Sequence, residues 1–314
     1  MEARTLSSSP DILPLYARAA APLIPGASRL PFVPGGGREI PEIELDLPGV
    51  RPDPKRVAAY AKVCGFALRD HLPVTYPHVL AFPLHMALMA DGRFPFGAVG
   101  LVHVENRIVQ RRPIGIGEEL EIKVKPTPLQ DHKRGRTFSL VTEVTNDGEP
   151  VWESTSTMLR RGGSAAKHAQ AQAPDANHGS GDIGPNDDAH EEAAASAIWR
   201  LPGDLGRRYA AVSGDRNPIH MHSLTAKPLG FAGAIAHGMW TKARCLAALE
   251  SRLPDALQVD VRFRKPILLP GKVEFASSDE KDEIEFAVRD AKRGTPHLDG
   301  ELKSLGANSK DGRK

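Results

Sequence analysis

A chain that repeats itself must fold the same way twice. Tyr60-Ala-Lys-Val-Cys-Gly65 resembles Tyr209-Ala-Ala-Val-Ser-Gly214 at an offset of 149 (209 − 60). Downstream landmarks keep nearly the same step: Met86 and Met239 differ by 153 (239 − 86), as do Pro113 in Arg-Arg-Pro-Ile and Pro266 in Arg-Lys-Pro-Ile (266 − 113). In each half a helix therefore leads, across the same 27 residues (113 − 86 and 266 − 239), to a strand that ends in a basic residue and a proline. Such self-similarity implies two copies of one α+β domain. A length of 314 residues leaves room for two cores.

The local signals fit that plan. Residues 1 to 40 hold Pro10, Pro14, Pro22, Pro25, Pro31 and Pro34 with Gly35-Gly-Gly37, which predicts an irregular arm with one short helix near Leu13 to Ala21. No chemistry is assigned to that arm. Asp53-Pro54 supplies an N-cap and a first helical residue, so a helix is expected over 54–64. Residues Val79 to Met89 are rich in Leu, Met and Ala and predict a buried helix beginning near Pro83. Strands are expected at Gly100 to Val109, Glu119 to Val124, Arg136 to Thr145 and Val151 to Leu159, several of them alternating as half-buried antiparallel strands do. Asn146-Asp-Gly148 between the last two is a hairpin turn signal. Residues 161–195 turn to Gly, Ser, Ala, Gln, Asn, Asp and His, which reads as a flexible linker. The first domain is thus placed at 41–160, the second at 196–305, and a disordered tail at 306–314.

Composition excludes several classes of function. A net charge of +2 without long blocks of like charge argues against a nucleic-acid surface. The N-terminus lacks the basic-then-apolar order of a signal peptide and no apolar run approaches a membrane span, so no membrane association and a cytoplasmic location are expected. Cys64 and Cys245, the two cysteines, lie in apolar-periodic segments and read as core thiols in a reducing compartment. His168, His178 and His190 in the linker are spaced by ten and twelve residues and match no ligand pattern, so no metal is expected there.

The stretch that carries chemistry is Asp215-Arg-Asn-Pro-Ile-His220, with an acid, an amide and an imidazole around a proline that no helix interior tolerates. Seventeen residues on (237 − 220), His237-Gly238-Met239 opens an Ala-rich apolar segment, so a glycine amide falls at a helix start. His237 is read as structural, and His222 as a neighbouring polar residue. The first copy differs where chemistry would sit: Phe66 stands in the place of Asp215, Leu68 in that of Asn217, and His85 in that of Gly238, while His71 falls opposite His220. The first half is therefore expected to be catalytically silent.

Val-Ser-Gly-Asp-Arg-Asn-Pro-Ile-His, from 212 to 220, resembles the hydratase signature of the MaoC-like family, which includes (R)-specific enoyl-CoA hydratases and 3-hydroxyacyl-thioester dehydratases. The resemblance implies a double hot dog, each half an antiparallel sheet wrapped around a central helix, with a degenerate first half and an active second one. It implies Asp215 and His220 as the catalytic pair, Asn217 as the residue that holds the loop, and Gly238 as the oxyanion-hole amide. The implied reaction is reversible syn hydration of trans-2-enoyl thioesters to (R)-3-hydroxyacyl thioesters, carried by CoA or acyl-carrier protein, in fatty-acid metabolism. No metal or redox cofactor is implied, CoA or phosphopantetheine being part of the substrate. Which of Asp215 and His220 takes the water proton is left open. Arg262, Arg264 and Lys265 follow an alternating strand and are candidates to grip phosphates of the CoA or phosphopantetheine group, or else form an ordinary solvated face. Tyr76 to Pro83 is expected to shape the space for the acyl tail. Two other readings remain, a non-catalytic subunit that binds acyl thioesters and a thioesterase. Monomer and homodimer are both open.

Overall fold

The computed structural model describes residues 2–21, 34, 39–162, 195–280 and 283–306. The linker expected over 161–195 therefore lies almost wholly outside the described residues, as do its three histidines. The described start of the arm, residues 2–21, holds a strand that was not expected, β1 (Glu2–Thr5), before the expected helix, α1 (Ile12–Ala20), that Asp11 caps by accepting from the Leu13 amide. The first half then holds β2 (Ile43–Val50), α2 (Pro54–Cys64), α3 (Tyr76–Met89), β3 (Val102–Gln110), β4 (Leu120–Pro126), the short β5 (Gln130–His132), β6 (Gly135–Asn146) and β7 (Glu149–Arg161). The second holds β8 (Ala195–Leu201), α4 (Leu205–Ser213), α5 (Pro218–Met221), α6 (Ser223–Ala226), α7 (Gly238–Ala248), β9 (Leu257–Phe263), β10 (Gly271–Glu280), β11 (Glu283–Asp290) and β12 (Pro296–Ser304).

Helix α2 ends as its sequence dictates. Asp53 accepts from the Lys55 amide, Pro54 occupies the first turn, and Gly65 closes the helix at φ 87°. Its counterpart α4 closes on Gly214 at φ 78°, the same left-handed position one repeat later. Helix α3 departs from expectation, beginning at Tyr76 rather than near Pro83 and carrying that proline inside. An interior proline costs about 3 kcal/mol, but ten residues of this helix are buried, and each large apolar side chain so buried contributes roughly 1.5–3 kcal/mol. Tertiary packing outweighs the local break. At the β6–β7 turn, Asp147 and Gly148 both take positive φ, 51° and 81°, as a tight hairpin requires.

Among the described residues all strands join one sheet in the order β1-β2-β4-β6-β7-β3-β9-β12-β11-β10-β8, with β5 attached to β6 and only β1–β2 parallel. The order reads the same outward from its middle: β3-β7-β6-β4-β2 in one direction, β9-β12-β11-β10-β8 in the other. Each half wraps its sheet around a buried helix, α3 or α7, giving two hot dogs fused along β3 and β9. Register across that seam follows the repeat. Glu105 pairs with Arg262, and shifting each by 153 (105 + 153 and 262 − 153) gives Gln258 and Val109, which also pair. Arg107 and Asp260 map onto one another, so the pseudo-twofold passes between them. Tyr60 and Tyr209, equivalent at the offset of 149, meet with ring centroids 6.1 Å apart.

Helix α7 is pinned to the seam by a buried lysine. Lys242 Nζ donates to Asn106 Oδ1 at 2.6 Å and to the carbonyls of Asn106 and Val259 at 3.1 Å. Burial pushes its pKa far down, while three oxygen acceptors match the three N–H donors of the charged form. Among the described residues no helix is long and apolar enough to cross a membrane.

Candidate active site

The loop after α4 is built from consecutive side-chain turns. Ser213 Oγ donates to the Tyr209 carbonyl and accepts from the Asp215 amide. Asp215 Oδ1 accepts from the Asn217 amide at 3.1 Å, and Asn217 Oδ1 accepts from the Ile219 amide at 3.4 Å, capping α5 with Pro218 in its first turn. Two Asx turns thus carry the chain straight into a helical turn that delivers His220 inward, 9% exposed. His220 Nδ1–H donates to the Ile235 carbonyl at 2.8 Å, which leaves Nε2 as the ring's free acceptor. On Asp215, Oδ1 is engaged and Oδ2 is the less encumbered oxygen.

His237 supports this pair from beneath. It occupies the N-cap position of α7 without capping through its side chain, donates Nε2–H to the Asp215 carbonyl at 2.9 Å, and stacks on His220 with centroids 3.7 Å apart. Burial lowers its pKa to about 3, aided by the neighbouring His220. His220 is also lowered, by burial, against the pull of Asp215. For Asp215, burial pushes upward, but His237, His220, the Tyr16 hydroxyl and the Asn217 amide together hold its carboxyl below the ordinary value. Asp215 is thus biased toward the carboxylate, while burial works against a proton on either imidazole. Asp215, His220 and His237 offer ligand atoms within 4.8 Å of one another. His237 spends Nε2 on a backbone carbonyl, and its Nδ1 is buried without a partner among the described residues. That arrangement suits an acid–base pair on a rigid support.

Gly238 is the first residue of α7, so its amide has no partner within the helix and sits at the positive end of the dipole. A β-carbon there would lie 3.0 Å from the Phe263 ring, which explains the glycine sterically. Asp215, Asn217, His220 and Gly238 all line one cavity of about 180 Å³. Its other wall comes from the first half, where His78, Val79 and Phe82 from α3 join apolar residues such as Met89 and Leu140. The Tyr76 to Pro83 segment thus contributes His78, Val79 and Phe82 to the cavity wall.

A profile of the MaoC like domain matches residues 200–300. The chain is 36% identical over 290 residues to 3-hydroxyacyl-thioester dehydratase X of Mycobacterium tuberculosis, covering 92% of this chain and 95% of that protein. It belongs to the MaoC-like dehydratase family. The crystal structure of HtdX from M. tuberculosis superposes with a TM-score of 0.71 at 35% identity, over 83% of this chain and 100% of that one. A MaoC-like dehydratase from Phytophthora capsici, at 18% identity, shares the fold with a TM-score of 0.67 over 87% of this chain and 98% of that one.

Within this MaoC-like frame the basic candidates separate. Arg264 and Lys265 line the cavity, Arg264 also meeting Asp299 at 2.6 Å. Arg262 does not line it. Side chains alternate along β9, so Arg262 falls on the exposed face opposite buried Val261 and lies 3.6 Å from Glu105. Two cations that sequence reasoning missed join the cavity from the first half, Arg134 and Arg161. No local pattern marks them, because the fold alone brings the β5–β6 turn and the end of β7 to the second half. The arm, to which no chemistry was assigned, supplies Tyr16, whose hydroxyl lies 2.8 Å from Asp215 Oδ1. Its sequence carries a helix signal at Asp11 and nothing that points 199 residues ahead.

Proposed function

We propose that this chain catalyses reversible syn hydration of trans-2-enoyl thioesters to (R)-3-hydroxyacyl thioesters, and the reverse dehydration. The observation that carries the reading is the convergence of Asp215, His220 and Gly238 on one cavity, in a chain 36% identical to a named 3-hydroxyacyl-thioester dehydratase. A water shared by the carboxylate and the imidazole gives up one proton to the pair as its oxygen bonds to C3. The C2–C3 π electrons move into the thioester as an enolate, whose oxygen meets the Gly238 amide. The pair then returns the proton to C2, so the water is added whole to one face, and each proton transfer contributes about 10²–10⁴-fold.

On this reading Asn217 fixes the loop, and Arg264 and Lys265, with Arg134 and Arg161 beside them, meet the phosphates of a CoA or phosphopantetheine carrier. The chemistry needs no metal or redox cofactor. Buried free thiols at Cys64 and Cys245 suit a reducing compartment such as the cytoplasm. The test is a spectrophotometric hydration assay across enoyl-CoA chain lengths with chiral analysis of the product. Loss of enoyl absorbance with formation of the (R)-3-hydroxy product is expected. Release of free thiol with the enoyl group intact would identify a thioesterase instead, and binding without turnover a carrier subunit.

A further inference from the structure

The second half's catalytic loop is completed by a residue from the far end of the chain. Strand β1 pairs with β2, and Arg93 bonds Glu2 at 2.9 Å, so the arm is anchored on the first half. Helix α1 then packs on α3, and Ile12 comes against Gly214. This places the Tyr16 hydroxyl between two groups of the loop: it donates to Asp215 Oδ1 at 2.8 Å and accepts from the Arg216 amide at 2.8 Å. Because Arg216 N–H fills the acceptor side, the phenolic proton is directed to the carboxylate.

The first copy shows why a tyrosine is used. The amide equivalent to that of Arg216 belongs to Ala67 (216 − 149), and there the acceptor is a carboxylate, Glu250 Oε2 at 2.8 Å. At that place the backbone therefore takes an acceptor from elsewhere in the fold in both halves. Beside Phe66 a glutamate serves. Beside Asp215 a second carboxylate would repel the first, whereas a phenol accepts from the amide and still has a proton to give. We propose that Tyr16 is the positioning residue of the catalytic carboxylate: it holds Oδ1 together with the Asn217 amide, so that Oδ2 is the oxygen presented to the water. With Tyr16 removed, one donor remains on Oδ1 and the carboxylate regains the broad rotation usual for its terminal torsion.

The inference rests on the hydratase reading of Asp215, so its test includes a readout independent of turnover. Around Asp215 stand Tyr16 from α1, His220 from α5, His237 at the start of α7, Tyr209 from α4, and His78 and His103 from the first half, the last two sensing its charge. All but Tyr16 are unchanged in Tyr16→Phe, which keeps the ring in the arm. That variant is expected to lose about ten- to hundredfold in kcat, as loss of a hydrogen bond to a charged group costs, with KM within about twofold. Tyr16 favours the ionised carboxylate, so its loss should raise the Asp215 pKa and move the acid limb of the pH–rate profile to higher pH. A ¹³C-carboxyl NMR titration of Asp215 should show the same rise whether or not the protein turns over an enoyl thioester. Should Tyr16→Phe fail to fold, 3-fluorotyrosine at position 16, a stronger donor, should move Asp215 the opposite way. An Asp215 titration unmoved by either substitution, or an unchanged kcat in an active Tyr16→Phe enzyme, overturns the proposal. An inactive wild-type protein in which Asp215 still answers to Tyr16 would instead overturn the hydratase reading alone.

Discussion

The loops after α2 and α4 begin alike and end differently. Each leaves a helix through a glycine in the left-handed region and has its second following amide bound by a side chain from elsewhere. In the second half, Asp215 and Asn217 then capture successive amides and turn His220 into the interior. In the first half, Phe66 fills the core at 8% exposure, Leu68 is 75% exposed, and His71 lies at the surface against Asp70. The imidazole is still present, but nothing turns it inward. The two copies thus share a scaffold but not a loop, while α3 and strands of the first half wall the cavity that Asp215 and His220 line.

The largest expected effect lies on the active side of this comparison. Asp215→Asn or His220→Ala should lower enoyl-CoA hydration by two to four orders of magnitude, since each removes one member of a proton-transferring pair. Circular dichroism and the thermal midpoint should hardly move. Near-wild-type turnover in either variant would remove the basis for reading the second half as the active one.

Installing the acid in the first half should fail. Phe66→Asp with Leu68→Asn, in the Asp215→Asn background, should recover no activity because His71 does not face inward. It should also cost about 3–5 kcal/mol of stability from the lost buried ring, and a carboxylate left in that apolar site adds to the penalty. Any restored turnover would mean that the two copies differ only in side chains and not in the path of the loop.

Much of this was legible before any coordinates. The repeat predicted two copies, and the offset of 153 even carries the register of the β3–β9 seam. The meeting of Asp215, Asn217 and Gly238 on one cavity was legible because their placement depends on neighbours two or three residues away and on a helix start. Tyr16, Arg134 and Arg161 were not, since their partners come from distant segments that only the folded sheet and the docked arm bring together. Arg262 lies outside the cavity because alternation along β9 leaves it exposed while its neighbour Phe263 lines the cavity.

A smaller effect is expected at the oxyanion position. Gly238→Ala would place a β-carbon 3.0 Å from the Phe263 ring, so the ring must shift by a few tenths of an ångström beside the amide proposed to meet the enolate. Turnover should fall by about tenfold, less than loss of a whole oxyanion donor, which costs about 2.7–4 kcal/mol. Steady-state kinetics would show it in kcat before KM. A loss confined to KM would place Gly238 in ground-state binding rather than at the developing charge.

The smallest effect belongs at the axis where the halves meet. Arg107 Nε and Asp260 Oδ1 are 2.6 Å apart on the outer face of the seam, with the side chains 57% and 33% exposed. Such a pair contributes about 0–1 kcal/mol. Directly beside it, Ile108, Val259 and Val261 point inward and are almost fully buried, and a slip of one residue would turn all of them to solvent. Hydrophobic burial therefore sets the register, and the ion pair only decorates its midpoint. Asp260→Asn should accordingly lower stability by less than about 1 kcal/mol in urea titration, with the difference fading in high salt as exposed charges are screened. A loss of several kcal/mol that persists in salt would mean that the two halves are held in register by charge.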